Sequence, residues 1–200
     1  MTGSWSGRRP GPLSAAVAQL CGQLDCRVGP RTAAGLAQVA RRLAEPLRVV
    51  VAGRLSSGKS TLVNALIGRR VARTDVAECT RLVTRFCYGT VDRVEVVLRT
   101  GQRAALPFDA AGMIPAQLGV DLAQVSHLQA YLTNAVLQDL TVVDTPGLGS
   151  LDAASSARAQ AVLAPGALDD ASATAVAEAE AVLYVVTQAV RSDDAQVLAA

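Results

Sequence analysis

Eight residues in the first third of the chain have types and a spacing that suit the binding of a phosphate group. Residues 53–60 have the sequence Gly-Arg-Leu-Ser-Ser-Gly-Lys-Ser. Glycines let such a loop wrap closely around an anion, its backbone N–H groups converge on the anion, and the positive end of a following helix adds to them. The motif therefore predicts a P-loop, in which Lys59 contacts β- and γ-phosphate oxygens and the Ser60 hydroxyl ligates Mg²⁺.

The composition supports a special role for Lys59. Of the 19 basic residues, eighteen are arginine and Lys59 is the one lysine. A position that keeps lysine in such a chain is one where a compact, flexible ammonium fits and a planar guanidinium does not. The solitary lysine stands where the motif demands it.

A second motif lies in Val142-Val143-Asp144-Thr145-Pro146-Gly147. An acid at the end of a buried strand can hold Mg²⁺ through water, opposite Ser60, and Gly147 can offer its N–H to the γ-phosphate. Asp-Thr-Pro-Gly is also a common turn sequence. Its functional interpretation depends on its pairing with the P-loop and on the hydrophobic strand before it.

A nucleotide-dependent switch also needs a residue that senses the γ-phosphate from a loop between these two motifs. Thr80 and Thr84 are the candidates. We favour Thr80 because it precedes a predicted strand at 81–88, whereas Thr84 falls inside that strand and suits packing or pairing. If Thr80 proves to be a folding residue, Thr84 inherits the switch role.

The hydrophobic pattern indicates the elements that position these residues. Short apolar runs predict buried strands, and apolar residues at helical spacing predict helices between them. The predicted strands are 47–52, 81–88, 93–98, 104–108, 127–132, 140–144 and 181–187. The predicted helices are 13–25, 32–45, 60–67, 153–163, 171–180 and 193–200. Residues 109–125 are left open.

This alternation of strands and helices predicts an α/β fold, a P-loop NTPase three-layer sandwich with a mixed, mostly parallel sheet. N-terminal helices precede it. We expect a helical segment at residues 1–46 and a nucleotide-binding domain at residues 47–200 that is incomplete at its C-terminus.

Composition and charge exclude several classes. With 50% hydrophobic and 18% charged residues the chain is not a disordered tail, and it has no apolar run of the roughly 18 residues that a spanning helix needs. A net charge of +2 and 3% aromatic residues argue against a nucleic-acid partner. The four cysteines form no C-x-x-C pair, which indicates a reducing compartment, the cytoplasm. His127, the one histidine, is expected to be structural.

The sequence resembles a known family. Residues 53–68 are similar to the opening of translation-factor-class GTPases, and residues 42–47 and 77–84 resemble bacterial dynamin-like GTPases of the actinobacterial, isoniazid-inducible type. Lys59 and Asp144 are 85 residues apart, a longer interval than in compact Ras- or Era-type domains. The strands at 93–132 are what an enlarged dynamin-type domain would insert.

The resemblance implies an enzyme that binds GTP and GDP with Mg²⁺, hydrolyses GTP, and forms a homo-dimer or hetero-dimer through its GTPase domain. It also implies membrane contact in the intact protein, so that a cytoplasmic protein could lie peripherally at the inner face of the cell membrane. The expected catalytic residues are Lys59, Thr80, Ser56 and Gly147, and the expected metal ligands are Ser60, Thr80 and Asp144. The expected nucleotide-binding residues are Gly53, Arg54, Leu55, Ser56, Ser57, Gly58, Lys59, Ser60, Thr61, Asp144, Thr145, Pro146 and Gly147.

Two departures keep alternatives open. Leu148 stands where Ras-like proteins carry a glutamine that orients water, and Leu55 stands where eukaryotic dynamins carry one. Slow basal hydrolysis activated by a partner is therefore implied, and a nucleotide-binding pseudo-GTPase switch is one alternative. An Era-type GTPase acting on RNA or the ribosome is the other. The Asn/Thr-Lys-x-Asp motif that recognises guanine is absent and is expected beyond Ala200, so GTP over ATP rests on the resemblance.

Overall fold

The computed structural model describes residues 11–54, 56–74, 78–146 and 179–186. The chain divides into two compact units, Met1–Pro46 and Leu47–Ala200. Within the described residues, no helix is both long enough and apolar enough to cross a membrane.

The first unit contains two helices, α1 (Pro12–Asp25) and α2 (Pro30–Ala44). Each has proline in its first turn, where the missing N–H costs no hydrogen bond and the fixed φ suits a helix. Glu45, extended before Pro46, ends α2 because a residue before proline avoids the helical region. Both helices are confirmed, with starts one or two residues earlier than predicted.

The second unit is built on a seven-stranded sheet with the order β4-β3-β5-β2-β6-β1-β7. The strands are β1 (Leu47–Gly53), β2 (Thr84–Tyr88), β3 (Arg93–Leu98), β4 (Arg103–Leu106), β5 (Val125–Leu132), β6 (Leu140–Asp144) and β7 (Ala181–Val185). The helices among the described residues of this unit are α3 (Lys59–Ile67) and the short α4 (Val136–Asp139).

The sheet has two differently built halves. In the first, which we call the parallel half, β6, β1 and β7 run parallel. In the second, the mixed half, β2 pairs parallel with β5, and β3 pairs antiparallel with both β5 and β4. The halves meet where β2 runs antiparallel to β6. The predicted mixed α/β sheet is confirmed.

The reversal at β2 matters for function. Since β2 is antiparallel to β6, β2 begins at the sheet edge where β6 ends, and Thr84 stands opposite Asp144. The chain that leads into β2, including Thr80, therefore arrives at the edge where the parallel strands end. Open α/β sheets bind their ligands at that edge.

One face of the sheet carries the main core. Apolar side chains from both halves pack there with α3, and the contributors include Val51, Val63, Ile67, Phe86, Val94, Leu128, Leu132 and Val142, each at most 2% exposed. The opposite face is apolar in the parallel half, where Val50, Ala52 and Val143 are buried with Val83. In the mixed half the opposite face is polar, and it carries Arg85, Cys87, Arg93, Glu95, Arg103, His127, Gln129 and Tyr131.

The boundaries differ from the prediction at one place close to the candidate site. The strand predicted from residue 81 begins at Thr84, because residues Glu78–Arg81 form a 3-10 turn. Cys79, in this turn, and Leu82, just after it, are buried in the main core, so Leu82, which was predicted to lie in the strand, packs there from outside it. The predicted helices 153–163 and 193–200 lie outside the described residues, as does almost all of 171–180.

Candidate phosphate-binding site

The loop between β1 and α3 is shaped by close backbone approaches. Gly53 ends β1 with φ of 146°, and a Cβ there would lie 2.5 Å from the carbonyl oxygen of Val185 on β7. Ser56 has φ of 59°, in the left-handed region. Glycine is therefore required at position 53 both for its conformation and for its contact with the neighbouring strand.

The α3 N-terminus offers its backbone donors without a side-chain cap. Gly58 precedes the helix with φ of 96°, and a Cβ there would meet no atom within 4 Å. Nearby, the buried hydroxyl oxygen of Ser57 has no hydrogen-bond partner among the described residues. Open space before uncapped helix N–H groups is the arrangement that receives an anion.

Lys59, the first residue of α3, is 7% exposed. Its Nζ donates to the backbone carbonyl oxygen of Arg54 at 2.6 Å, so the ammonium folds back over the loop. Burial lowers the pKa of Lys59, and the charge of Asp144 opposes that effect. A cation held this deep requires nearby negative charge or strong acceptors.

Ser60 and Asp144 join the two motifs. The Ser60 hydroxyl donates to Asp144 Oδ2 at 3.0 Å. Asp144 Oδ1 is shielded from solvent and has no hydrogen-bond partner among the described residues. Burial raises the pKa of Asp144 to about 6, although the Ser60 hydrogen bond and the Lys59 charge both lower it.

This pair fits a magnesium ion. Mg²⁺ prefers oxygen ligands, and proteins hold it with one or two carboxylates together with substrate phosphates. A hydroxyl beside a buried carboxylate oxygen that lacks a donor is such a set. Within the described part of the chain, no group of three or more His, Cys, Asp or Glu residues could hold a metal ion, so a site built only from such side chains is not found there.

Thr145 and Pro146 continue the loop from β6, and both are buried. The Thr145 hydroxyl donates to the Val51 carbonyl oxygen at 2.9 Å. That bond ties the loop to β1 and occupies the hydroxyl hydrogen, so the Thr145 side chain braces the site. The contact of Thr145 with nucleotide stays a prediction, and its backbone is the part that could make it. Gly147 and Leu148 lie outside the described residues.

The two threonine candidates are separated by the start of β2. Thr84 is 5% exposed and pairs within the sheet, as a packing residue does. Thr80 lies in the 3-10 turn that precedes β2 and is half-buried. Thr80 was preferred because it was expected to lie outside the strand, and the structure has it there. Its role in sensing the γ-phosphate stays a prediction.

The structure brings most of the expected site residues to one edge of the sheet. Gly53, Arg54 and residues 56–61 form the loop and the first turn of α3, with Thr61 exposed, and Asp144 faces them from β6. Leu55 lies outside the described residues. His127 stands apart on β5, where burial and the charges of Arg85 and Arg103 lower its pKa to about 4.

The sequence reasoning missed Asn64, on the second turn of α3. Its Oδ1 accepts from the backbone N–H groups of Val71 and Ala72 at 2.9 and 2.8 Å, and its Nδ2 donates to the Ala72 carbonyl oxygen at 2.8 Å. A polar amide among the apolar residues 62–67 of α3 is the signal that could have identified it, because asparagine disfavours a helix interior unless its side chain has a local partner.

The fold and this arrangement define a class. A loop joins a central parallel strand to a helix, and an acid follows at the end of the neighbouring strand. These are the parts of a P-loop NTPase. The mixed half extends the sheet beyond β2.

Comparison with known proteins identifies the family. The model of the Dynamin family matches residues 49–199. The chain belongs to this family and corresponds to a portion of a bacterial dynamin-like GTPase domain. The relationship expected from the residues around the P-loop is confirmed.

Individual relatives agree with this assignment. The isoniazid-induced protein IniC of Mycobacterium tuberculosis is 43% identical over 131 residues, which cover 65% of this chain and 27% of that protein. A probable transmembrane GTPase, the chloroplastic FZO-like protein of Arabidopsis thaliana, is 31% identical over 106 residues, or 53% of this chain and 9% of that protein. The matches therefore span about a quarter of IniC and less of the plant protein.

A solved structure of an oligomerised bacterial dynamin pair, described as sensing and tethering membranes over a long range, is also similar. It superposes with a TM-score of 0.46 at 21% sequence identity, covering 74% of this chain and 24% of that chain.

Proposed function

We propose that this domain binds GTP together with Mg²⁺ and hydrolyses the bond between the β- and γ-phosphates. One observation carries the proposal: the buried ammonium of Lys59 lies beside the Ser60–Asp144 pair, whose Oδ1 lacks a hydrogen-bond partner among the described residues. The cation needs an anion and the carboxylate oxygen needs a cation, since both are withdrawn from water. A magnesium-bound phosphate supplies both.

The loop residues would bind the phosphates mainly through their backbone. The N–H groups of residues 53–61 and the start of α3 surround the anion, and Lys59 exchanges the Arg54 carbonyl for phosphate oxygens. Gly58 leaves this space open because it carries no Cβ, and Gly53 lets the loop start close against β7. Tight binding of GDP and GTP alike is expected, since these contacts do not depend on the γ-phosphate.

Three residues would hold the metal: Ser60 through its hydroxyl, Asp144 through its carboxylate, and Thr80 when the γ-phosphate is present. When bound, Mg²⁺ would neutralise the negative charge that develops on the phosphates during transfer. Burial raises the pKa of Asp144 to about 6, and a bound cation would favour the ionised carboxylate that acts as its ligand.

The attacking water would be positioned without a glutamine. Leu55 and Leu148 replace the two glutamines that related GTPases use, so the remaining groups are Thr80, the Gly147 N–H and the Ser56 hydroxyl. Such groups act strongly only when their loops are held in place and bulk water is excluded. Slow basal turnover, accelerated when a second GTPase domain docks on the nucleotide face, is therefore part of the proposal.

Binding is tested on the full-length protein with fluorescent GDP, titrated with and without Mg²⁺ and displaced by GTP or ATP. We expect displacement by GTP and GDP, and at least about 100-fold weaker displacement by ATP, a difference of about 2.7 kcal/mol. Comparable displacement by ATP would overturn the guanine preference alone. Failure of every nucleotide to bind would overturn the whole proposal.

Activation by dimerisation is tested by measuring GTP turnover per molecule across two decades of protein concentration. Turnover should rise with concentration, and GDP with aluminium fluoride should produce dimers, because it mimics the state that docking stabilises. Constant turnover with a monomer in aluminium fluoride would reject dimer activation. Binding without measurable turnover at any concentration would favour the pseudo-GTPase alternative.

Contact with membranes is the outermost part of the proposal. It is supported by family membership and by the plant relative, which is named a probable transmembrane GTPase. We place the intact protein in the cytoplasm, peripherally at the inner face of the cell membrane. Flotation of full-length protein with anionic liposomes should depend on GTP, and turnover should rise on their surface. Equal flotation and turnover with and without liposomes would remove this part only.

A further inference from the structure

The segment that leads from α3 to Thr80 is held at its start by two other parts of the domain. Val71 and Ala72 are 0% and 4% exposed, yet they belong to no strand or helix. Buried backbone groups outside regular structure need specific partners. All four backbone groups of these two residues have such partners.

Three of the four groups bond to the Asn64 side chain, as described above. The fourth, the Val71 carbonyl oxygen, accepts from the Ile114 N–H at 3.0 Å. Ile114 lies in the long connection between β4 and β5 and is 2% exposed in the main core. Asn64 thus ties the segment to the helix that begins with Lys59, and Ile114 ties it to the β4–β5 connection.

The next residue adds a charged contact to the same connection. Arg73 Nη1 lies 3.0 Å from Asp109 Oδ2, and the two side chains are 16% and 28% exposed. Asp109 Oδ1 accepts from the N–H groups of Ala111 and Met113, both at 2.9 Å. One carboxylate therefore folds its own loop with one oxygen and binds Arg73 with the other.

The far end of the segment is anchored as well. Cys79 and Leu82, on either side of Thr80, are 4% and 3% exposed in the main core, and the Leu128 N–H donates to the Val83 carbonyl oxygen at 2.9 Å. The described chain is therefore anchored at residues 71–73, before Thr80, and at residues 79–83, around it.

We propose that the loop 109–114, together with Asn64, positions the segment that carries Thr80 and thereby sets the rate of GTP hydrolysis. The inference rests on the proposed function, in which Thr80 acts only when the γ-phosphate is bound. Asn64, Asp109 and Ile114 are positioning residues, since they act through residues 71–73. Because this loop connects β4 and β5, the mixed half of the sheet would in this way influence the phosphate site.

The test compares Asp109→Asn with Asp121→Asn in the full-length protein. Asparagine at 109 keeps an acceptor for the two loop N–H groups and removes the charge that binds Arg73. Asp121 caps a 3-10 turn in the same β4–β5 connection through the Ala123 N–H at 2.9 Å, so it is a matched control.

We expect Asp109→Asn to lower kcat by about threefold to tenfold, the range expected for coupling between separated residues. Its KM and its GDP affinity should stay within about twofold, and Asp121→Asn should match the parent. In a double-mutant cycle, Arg73→Gln should add little to Asp109→Asn, because both remove the same contact. Equal kcat for the two asparagine variants would overturn the inference, and so would a parallel loss of kcat and GDP affinity.

A second readout keeps the test independent of activity. In nucleotide-free protein, the amides of residues 71–73 should exchange hydrogen faster in Asp109→Asn than in Asp121→Asn, and Asn64→Asp should accelerate the same amides by removing the donor to the Ala72 carbonyl. Unchanged exchange in both variants would overturn the anchoring. A parent protein that anchors this segment but neither binds nor hydrolyses GTP would instead overturn the proposed function.

Discussion

The two halves of the sheet carry their polar side chains at different places. In the parallel half, β1 and β6 end together and deliver Lys59, Ser60 and Asp144 to one edge. In the mixed half, charged side chains lie on the sheet face itself, where Arg93 and Arg103 both form ion pairs with Glu95. The Cζ atom of Arg93 also lies 3.9 Å from the centre of the Tyr131 ring. The candidate site lies at the strand ends of the first half, whereas the second half carries ion pairs on its sheet face.

This difference predicts that losing a positive charge weakens nucleotide binding strongly in the parallel half and leaves it unchanged in the mixed half. We expect Lys59→Ala to weaken nucleotide binding at least about 1000-fold, or about 4 kcal/mol, because the cation facing the phosphates is lost. Lys59→Arg should also bind poorly, since a planar guanidinium crowds the loop. Titration with fluorescent GDP measures both.

The control for this prediction is Arg103→Gln in the mixed half, which removes an exposed partner of Glu95. Exposed ion pairs contribute little, so its GDP affinity should equal that of the parent. If Lys59→Arg binds as tightly as the parent, the argument from the solitary lysine is wrong.

The two halves should also differ in the stability lost when a glycine is replaced by alanine. Gly53→Ala places a Cβ against the Val185 carbonyl between β1 and β7 at a φ that only glycine adopts readily, so we expect a loss of about 3 kcal/mol of unfolding free energy. Gly101→Ala, in the β3–β4 turn with φ of 83° and open space around it, should lose about 1 kcal/mol. Urea denaturation compares them, and equal losses would contradict the close approach.

The third comparison crosses the boundary between the halves. Thr80→Ala should slow hydrolysis about 30-fold, near 2 kcal/mol, and leave GDP affinity unchanged, because its contact is restricted to the γ-phosphate side. Thr84→Val, isosteric within β2, should lower stability more than turnover. Single-turnover kinetics and GDP titration distinguish them, and equal loss of GDP and GTP binding in Thr80→Ala would transfer the switch role to Thr84.

The smallest expected effect concerns acid stability in the mixed half. The pKa of His127 is about 4 in the folded chain and 6.5 ordinarily. Between these pH values the imidazole therefore binds a proton in the unfolded chain and not in the folded chain. Stability should therefore fall as pH drops from about 6.5 towards 4, by about 1 kcal/mol after allowing for solvent screening.

Replacing this histidine gives the matching control. In His127→Gln the side chain no longer titrates. The free energy of unfolding should therefore fall by about 1 kcal/mol less between pH 6.5 and 4 than it does in the parent. Urea denaturation at several pH values measures both proteins. Identical slopes would show that His127 does not cause the acid sensitivity.

The parallel half was largely predictable from sequence, because its function and its fold share the same residues. The motif at 53–60 requires a strand before it and a helix after it, and the apolar run at 140–144 ends in the acid that the motif needs. Two of its three strands were therefore located by chemistry as well as by hydrophobic pattern.

The mixed half was less predictable for a physical reason. Residues 109–125 have no hydrophobic period, because their loop is folded by Asp109 side-chain bonds and by contacts with residues 71–73, which lie far away in sequence. Residues 81–83 were predicted as strand because the stretch 81–88 was interpreted as one alternating pattern, but Arg81 ends the 3-10 turn, and Leu82 and Val83 are buried ahead of β2. Side-chain hydrogen bonds and turns of this kind leave no period in a sequence.

The order of the strands also dictates when the phosphate site can form. β1 lies early in the sequence, at Leu47–Gly53, but its neighbours in the sheet come much later, β6 at Leu140–Asp144 and β7 at Ala181–Val185. Such distant pairings close large loops and form slowly. During synthesis the P-loop therefore emerges well before the strands that flank β1, whereas β3 and β4 can pair as a local hairpin. If the proposed function holds, nucleotide can stabilise this domain only after β6 and β7 have left the ribosome and paired with β1.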